Sequence, residues 1–518
     1  MQKNKKLPIG IQTFEKIAQD NYCYVDKTHF VQQLLNEGTY YFLSRPRRFG
    51  KSLFLSTLKA AFEGRRELFQ GLFLYDNWDW SQSNPVVHIS FGSGVMRSVR
   101  DIEIRFSAIL DNHVRLHDVT LCQEDLRERF AELIQTLYEK TGRRVVVLVD
   151  EYDKPILDNI ENTQMAIALR EELKNFYSVI KDADPYIEFV FITGVSKFSK
   201  VSLFSGLNNL EDITLSPDCS SICGYTQDEL EDVFLDWIDR DMDLTKVKTW
   251  YNGYNWLGQE VYNPFDILLY LKQGEFRNFW FETATPTFLI RLLQEKKYYI
   301  PALHDLRASE KILGSFDVDG LEIETLLFQT GYLTIRQVQN MGGMRWFQLG
   351  YPNQEVRQSL TDYILSFLTD STVAQENNKF NLYEALMAHN FDAIKQTLQA
   401  FFSSIPHDWY RKNQVANYEG YYASIVYCYF AALGLDVCVE DATSHGRIDM
   451  TVKLGAHIYI FEFKVVELLA EDRALQQIKD KGYADKYRTD GATIHLIGVE
   501  FSSKKRNVVN FEVESEKV

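Results

Sequence analysis

The chain has 518 residues, more than one hydrophobic core usually supports, so two or three domains are expected. Hydrophobic residues at 45% and charged residues at 25% exclude a long disordered protein, and the 14% aromatic content points to well-filled cores. A net charge of −16 excludes a surface coated in positive potential, so any contact with nucleic acid must rest on cations gathered locally, because phosphate contacts supply most non-specific affinity.

The N-terminus, MQKNKKLPIGIQTF, is basic but lacks the apolar run of a signal peptide. No stretch approaches the ~20 apolar residues of a membrane span. A soluble, cytoplasmic protein with no membrane partner is expected. The six cysteines are scattered, and only Cys219 and Cys223 lie close together. No second pair or histidine cluster completes a zinc site with them, so they read as reduced, buried thiols.

In chain order, the pattern predicts a helix over 28–36, a strand over 40–43, a loop, and a helix from Lys51. Strands follow at 85–90, 144–149 and 187–193, with a helix over 162–180 between the last two. Strands alternating with helices imply a parallel sheet covered on both faces. Residues 226–370 read as mainly helical, with strand character at 332–336 and 346–349. The polar segment 370–381 reads as a linker. Helices at 382–402 and 418–433, strands at 449–454 and 458–464, a long helix at 470–487 and a strand at 493–499 close the chain. The expected division is 1–225, 226–370 and 371–518.

Ser44-Arg45-Pro46-Arg47-Arg48-Phe49-Gly50-Lys51-Ser52 lies between a predicted strand and a predicted helix. In that setting GxxxxGK[ST] binds phosphate through loop amides and a helix N-terminus, with the lysine on the β/γ-phosphates and the serine on Mg²⁺. Gly50, Lys51 and Ser52 are in place, but Arg45 stands where the first glycine belongs. Pro46 biases Arg45 towards extended backbone, so a somewhat different loop path is expected. The triplet alone is weak, because a helix-capping serine explains it as well. The run Val145–Val149 followed by Asp150 and Glu151 adds to it, since a buried strand delivers its C-terminal residues to the open crevice of an α/β sheet. There an aspartate can hold Mg²⁺ and a glutamate can polarise water; helix capping is the plainer alternative. A third strand ends in Thr193, a hydroxyl placed to sense the γ-phosphate.

These stretches, with VVVLVDEYDKPI, FITGVSKFSKVSLFSGLNNLEDITL and YNGYNW…VYNPFDIL, resemble the bacterial AAA-ATPase-like family from about residue 7 to 289. The resemblance implies an additional-strand P-loop NTPase fold that binds and hydrolyses ATP. It implies Lys51 on phosphate, Asp150 on Mg²⁺ and Glu151 as catalytic base. Arg47, Arg48, Lys197 and Lys200 are candidates for stabilising transferred charge.

Near the C-terminus, Gly446–Val452 and Ile458–Lys464 read as two strands joined at Gly455-Ala456. A two-residue turn pairs Leu454 with His457 and sets Asp449 opposite Glu462, with Lys464 on the same face. Opposed carboxylates repel unless a cation sits between them, and hard oxygen ligands select Mg²⁺ or Mn²⁺. On the residues alone, a metal site and a surface ion-pair cluster are equally served. GRID…IYIFEFK is similar to the PD-(D/E)XK nuclease domain, over roughly 418–511. That likeness implies Asp449 and Glu462 as metal ligands, Lys464 as the catalytic lysine and Glu419 as an auxiliary acid, whereas Gln477 and Tyr483 are too loosely spaced to carry weight. The expected whole is α/β: a P-loop parallel sheet with helices on both faces, a mainly helical middle, and an α/β nuclease-like domain. The expected function is an ATPase with a Mg²⁺-dependent nuclease acting on DNA, with homo-oligomers left open. The alternative is an ATP-dependent switch whose nuclease-like domain only binds nucleic acid or a protein partner.

Overall fold

The computed structural model describes residues 5–197, 200–204, 207, 209–280, 287–296, 298–314, 322–368, 372–405, 419–443 and 446–517. Contacts divide the chain into two compact units, residues 1–280 with 307–353, and residues 281–306 with 354–518. Residues 226–370 therefore fall partly in each. No helix among the described residues is long and apolar enough to cross a membrane.

The first unit is built on a parallel sheet: β1 (Tyr40–Ser44), β2 (Val86–Ser90), β3 (Val145–Asp150), β4 (Ile187–Gly194) and β5 (Glu211–Asp212). Its order is β2-β3-β4-β1-β5, so β4 lies between the loop-bearing β1 and the acid-bearing β3. That is the extra strand the resemblance implies. Every residue of β1 and β3 is buried, as expected of strands covered on both faces. The crossovers are helices Val99–His117, Leu126–Thr141 and Thr163–Asp182, capped by the side chains of Ser98, Asp125 and Asn162. Phe106, Phe130 and Phe176 stack between them, each worth roughly 1.5–3 kcal/mol on burial. A smaller sheet has the order β6 (Leu306–Ser309), β8 (Met344–Gly350), β7 (Thr334–Met341), matching the strand character expected at 332–336 and 346–349.

The second unit carries a mixed sheet, order β13-β12-β11-β10-β9: β9 (Asp436–Thr443), β10 (Gly446–Leu454), β11 (His457–Val466), β12 (Thr493–Ser502) and β13 (Asn507–Lys517). Only β11 and β12 run parallel. Strand alternation splits its residues between two faces. Ile458, Ile460, Ile494 and Leu496 pack with Leu475 and Ile478 of helix Arg473–Asp480. Phe461 and Phe501, on the other face, meet Phe430 of helix Glu419–Ala432 and Phe402 of helix Phe391–Ser404.

Three expectations are corrected here. The polar stretch read as a linker is helix Thr372–Met387, although Asp370 itself lies outside the described residues. Its polar groups do the holding: Gln375, fully buried, reaches Asp362 and Ser366, and Lys379 pairs with Asp362. The helix expected over 382–402 is two helices, broken at Ala388-His389-Asn390, where His389 has φ 51°. The helix expected over 470–487 is shorter and ends before Gly482 (φ 58°), after which a 3₁₀ segment, Tyr483–Asp490, takes over. Residue 418, the expected start of a helix, lies outside the described residues.

Candidate functional site

Gly50, at φ 95°, turns the chain out of the loop and caps helix Lys51–Phe62, a left-handed conformation that side chains rarely adopt. Lys51 is 7% exposed, and its ammonium donates to the carbonyls of Arg45 (2.8 Å) and Pro46 (2.9 Å). Burial pulls its pKa down, while Asp150 opposes that pull. Ser52 is half-buried in the first turn, and Arg47 and Arg48 are exposed.

Arg45 does not line this loop. Its side chain is fully buried and donates to the carbonyls of Ser44, Thr214 and Cys219, with the guanidinium 4.2 Å from the Trp256 ring. The residue in the missing glycine's place is thus a pillar under the loop. Phe49 packs edge-on against Tyr254 and Trp256, and Arg48 lies 4.4 Å from the Phe265 ring. The aromatic residues of the YNGYNW…VYNPFDIL stretch therefore brace the loop that precedes helix Lys51–Phe62. Gly331 completes the brace, because a Cβ there would sit 2.8 Å from Pro46.

Across the sheet, Asp150 ends β3 at 6% exposure and accepts a 2.8 Å hydrogen bond from the Thr193 hydroxyl at the end of β4. Glu151 follows at φ 55°, with its carboxylate beside Gly92. Burial, then the neighbouring Asp150, raises its pKa. Lys197 and Lys200 are not aimed at this crevice: both pair with Asp212, at 2.9 and 2.8 Å. The backbone N–H of Lys197 donates to Gln329. Asp153, which the sequence reading passed over, is fully buried and accepts from Val195 N, Ser196 N and Ser196 Oγ, fixing the turn after β4. All six cysteines are free. Cys122 is exposed and Cys438 half-buried, which corrects the expectation that every one is buried.

In the second unit, the hairpin register is the expected one from Leu454↔His457 to Met450↔Phe461. Asp449 uses its carboxylate to accept from Phe463 N at 2.8 Å. Glu462 is 1% exposed, and its Oε1 accepts from Lys464 Nζ (3.0 Å) and from the Gln477 amide. Its Oε2 is buried with no hydrogen-bond partner among the described residues. Lys464 also donates to Phe463 O and lies 3.6 Å from Glu419, the first residue of its helix. Asp449, Glu462, Lys464 and Glu419 thus converge, and Gln477 joins them.

Gln477 reaches Glu462 because Gly498, the β12 partner of Glu462, has no side chain: a Cβ there would lie 2.3 Å from the Leu475 backbone nitrogen. Tyr483 closes the same side, its hydroxyl 3.0 Å from where a Gly446 Cβ would stand. Burial first, then carboxylate repulsion, pushes Asp449 up to about 6 and Glu462 up to about 7. Burial works against the charge on Lys464 too, but Glu462 and Glu419 outweigh it and raise its pKa.

Residues 8–204 match the family model described as a predicted AAA-ATPase, and residues 417–511 match that of the PD-(D/E)XK nuclease superfamily. Over 515 residues the chain is 54% identical to a protein of Azotobacter chroococcum mcd 1 described as "Uncharacterized protein in vnfD 5'region", with 99% of each chain covered. The chain belongs to the bacterial AAA-ATPase-like family, in the form that carries a C-terminal domain of the PD-(D/E)XK nuclease superfamily.

Proposed function

We propose that this protein is a cytoplasmic ATPase whose residues 1–225 bind and hydrolyse ATP, and whose residues 371–518 cut DNA in a Mg²⁺-dependent reaction. The observation that carries the nuclease half is the Glu462 carboxylate. One oxygen is met by Lys464 and Gln477, and the other is buried without a donor among the described residues. A buried anionic oxygen is costly unless a cation meets it.

Asp449 and Glu462 offer hard oxygens to Mg²⁺ or Mn²⁺, with Glu419 as a further oxygen near Lys464. A divalent ion there supplies a water of lowered pKa and neutralises charge on a phosphodiester. The Phe463 N–H fixes Asp449, and Gln477 fixes Glu462. Lys464 keeps its proton between two carboxylates, so it serves as a donor to phosphate or to the attacking water and not as a base. At the other site, Lys51 exchanges two loop carbonyls for phosphate oxygens, and Ser52 and Asp150 hold Mg²⁺. Glu151 takes the proton of the attacking water, and Thr193 couples Asp150 to the terminal phosphate. Arg47 and Arg48, exposed on the loop, meet the nucleotide's outer charge. Six free cysteines support a reducing compartment.

The test is nicking of supercoiled plasmid with and without Mg²⁺, Mn²⁺ and ATP, by wild type, Asp449→Asn and Lys51→Ala. Cutting that requires the metal and vanishes in Asp449→Asn is expected. A wild type that leaves DNA and RNA intact under every condition overturns the nuclease half. It leaves an ATP-dependent switch whose C-terminal domain only binds nucleic acid or a protein partner.

A further inference from the structure

His389, at the corner between helices Thr372–Met387 and Phe391–Ser404, His457, the first residue of β11, and His495 of β12 are brought together from distant parts of the sequence. Each ring offers a nitrogen, and the three nitrogens lie within 4.8 Å of one another. His389 and His457 stack at 3.7 Å, and the planes of His457 and His495 differ by 1°. His457 Nδ1 lies 2.9 Å from His495 Nε2.

The far sides of two rings are held. His389 Nδ1 is 2.7 Å from the Tyr459 hydroxyl, and His495 Nδ1 is 2.7 Å from the Ser515 hydroxyl. This is how metal-ligating imidazoles are oriented: one nitrogen is fixed by an outer partner, and the other is left for the ion. Apolar packing alone does not call for three rings with their nitrogens turned together and two outer hydroxyls.

We propose that His389, His457 and His495 form a site for a late divalent transition-metal ion, zinc first among them, distinct from the carboxylate site. Three imidazoles suit zinc, copper or nickel and do not suit Mg²⁺. Among the described residues no fourth histidine, cysteine or acid joins the group, and two of the rings are half-buried. Water therefore completes the coordination, as in three-ligand zinc sites. An ion between His457 Nδ1 and His495 Nε2 displaces the hydrogen they share, which moves to His457 Nε2 as that ring changes tautomer, so no net proton is released. Tetrahedral zinc with Zn–N of about 2.0–2.1 Å sets its nitrogens about 3.3 Å apart, so the His457–His495 pair at 2.9 Å opens slightly while the His389 nitrogen, within 4.8 Å of both, closes in.

The two sites do not overlap. His457, Tyr459 and Phe461 face one side of the sheet, and Ile458, Ile460 and Glu462 the other. Five residues of strand, about 17 Å, separate His457 from Glu462. Bound metal would tie the helix corner to β11 and β12 and act as a staple within the second unit.

The experiment uses full-length, tag-free protein, treated with chelator and titrated with Co²⁺ while its visible absorption is recorded, then with Zn²⁺. One equivalent of Co²⁺ giving ligand-field bands that Zn²⁺ abolishes is expected. His457→Ala and His389→Asn should each weaken binding by more than the roughly 10–100-fold typical of losing a group that orients a ligand, and Ser515→Ala by about that amount. Asparagine tolerates the left-handed backbone at 389, so that variant should fold even if another does not. Asp449→Asn should leave the bands unchanged. Wild type without such bands at one equivalent overturns the proposal. So does binding that survives His389→Asn, or binding lost equally in Asp449→Asn.

Discussion

The two charged sites are built from similar parts, acids and a lysine at the ends of buried strands, but they satisfy those parts differently. At the phosphate loop, Lys51 rests on two loop carbonyls and Asp150 on the Thr193 hydroxyl. At the carboxylate site, burial raises the pKa of both Asp449 and Glu462, Asp449 adds to the rise on Glu462, and one Glu462 oxygen has no donor among the described residues. The first site meets its charged groups with internal hydrogen bonds. The second keeps a buried carboxylate oxygen that Lys464 does not reach and that no donor among the described residues meets. Buried charge alone therefore says little about function; what matters is whether the fold satisfies it.

The sharpest way to break the contrast is at Glu151. Glu151→Gln should lower ATP hydrolysis by ~10²–10⁴-fold while calorimetric ATP binding is preserved. Hydrolysis within tenfold of wild type would remove Glu151 as the base. Next in size is the pillar beneath the loop. Trp256→Ala removes the ring that Arg45 stacks upon and should cost about 3–5 kcal/mol in a urea melt of the first unit. A loss under about 1 kcal/mol would mean that the three carbonyls suffice to hold Arg45.

On the other side of the comparison, Lys464→Ala should cut cleavage by roughly 10²–10³-fold and keep Mg²⁺-induced thermal stabilisation, whereas Asp449→Ala should lose both. Equal behaviour of the two variants would dissolve the distinction between donor and ligand. The smallest effect is the response to pH. Both carboxyl pKa values are raised in the folded state, from 3.8 to about 6 and from 4.5 to about 7. Their contribution to stability is therefore fully present below about pH 4 and is lost as pH rises through 6 and 7. Mg²⁺ competes with those protons, so its apparent affinity should grow about tenfold per pH unit for each proton displaced in that window. A Mg²⁺ affinity flat from pH 5 to 8 would show that neither carboxylate binds the ion.

Much of this was legible in the sequence because the signals are local. The apolar run of β3 with its two acids, the Gly50-Lys51-Ser52 turn and the hairpin at Gly455-Ala456 each lie within a dozen residues, and strand or turn chemistry fixes them. What was missed depends on partners far along the chain. Arg45 looks like a surface cation until Trp256 lies under it. Gln477 has no role until Gly498 lets its helix approach Glu462. The helix Thr372–Met387 shows no clean apolar face, with Val373, Phe380 and Met387 exposed, and is anchored by Gln375 and Lys379 on Asp362. No local spacing joins His389, His457 and His495, and the close cysteine pair draws the eye to a different part of the chain.

A ribosome delivers the phosphate loop long before it delivers Gly331 and Gln329, which pack on Pro46 and hold the Lys197 amide. Between them comes 281–306, a segment belonging to the other unit, so the first unit cannot close while its N-terminal stretch is emerging. Its contacts are complete only once residue 353 has emerged. A chain truncated after residue 306 should accordingly be cleaved by trypsin at Arg47 or Arg48 under conditions in which the full chain resists. Equal resistance of the two would mean that the loop is braced without its late-arriving partner.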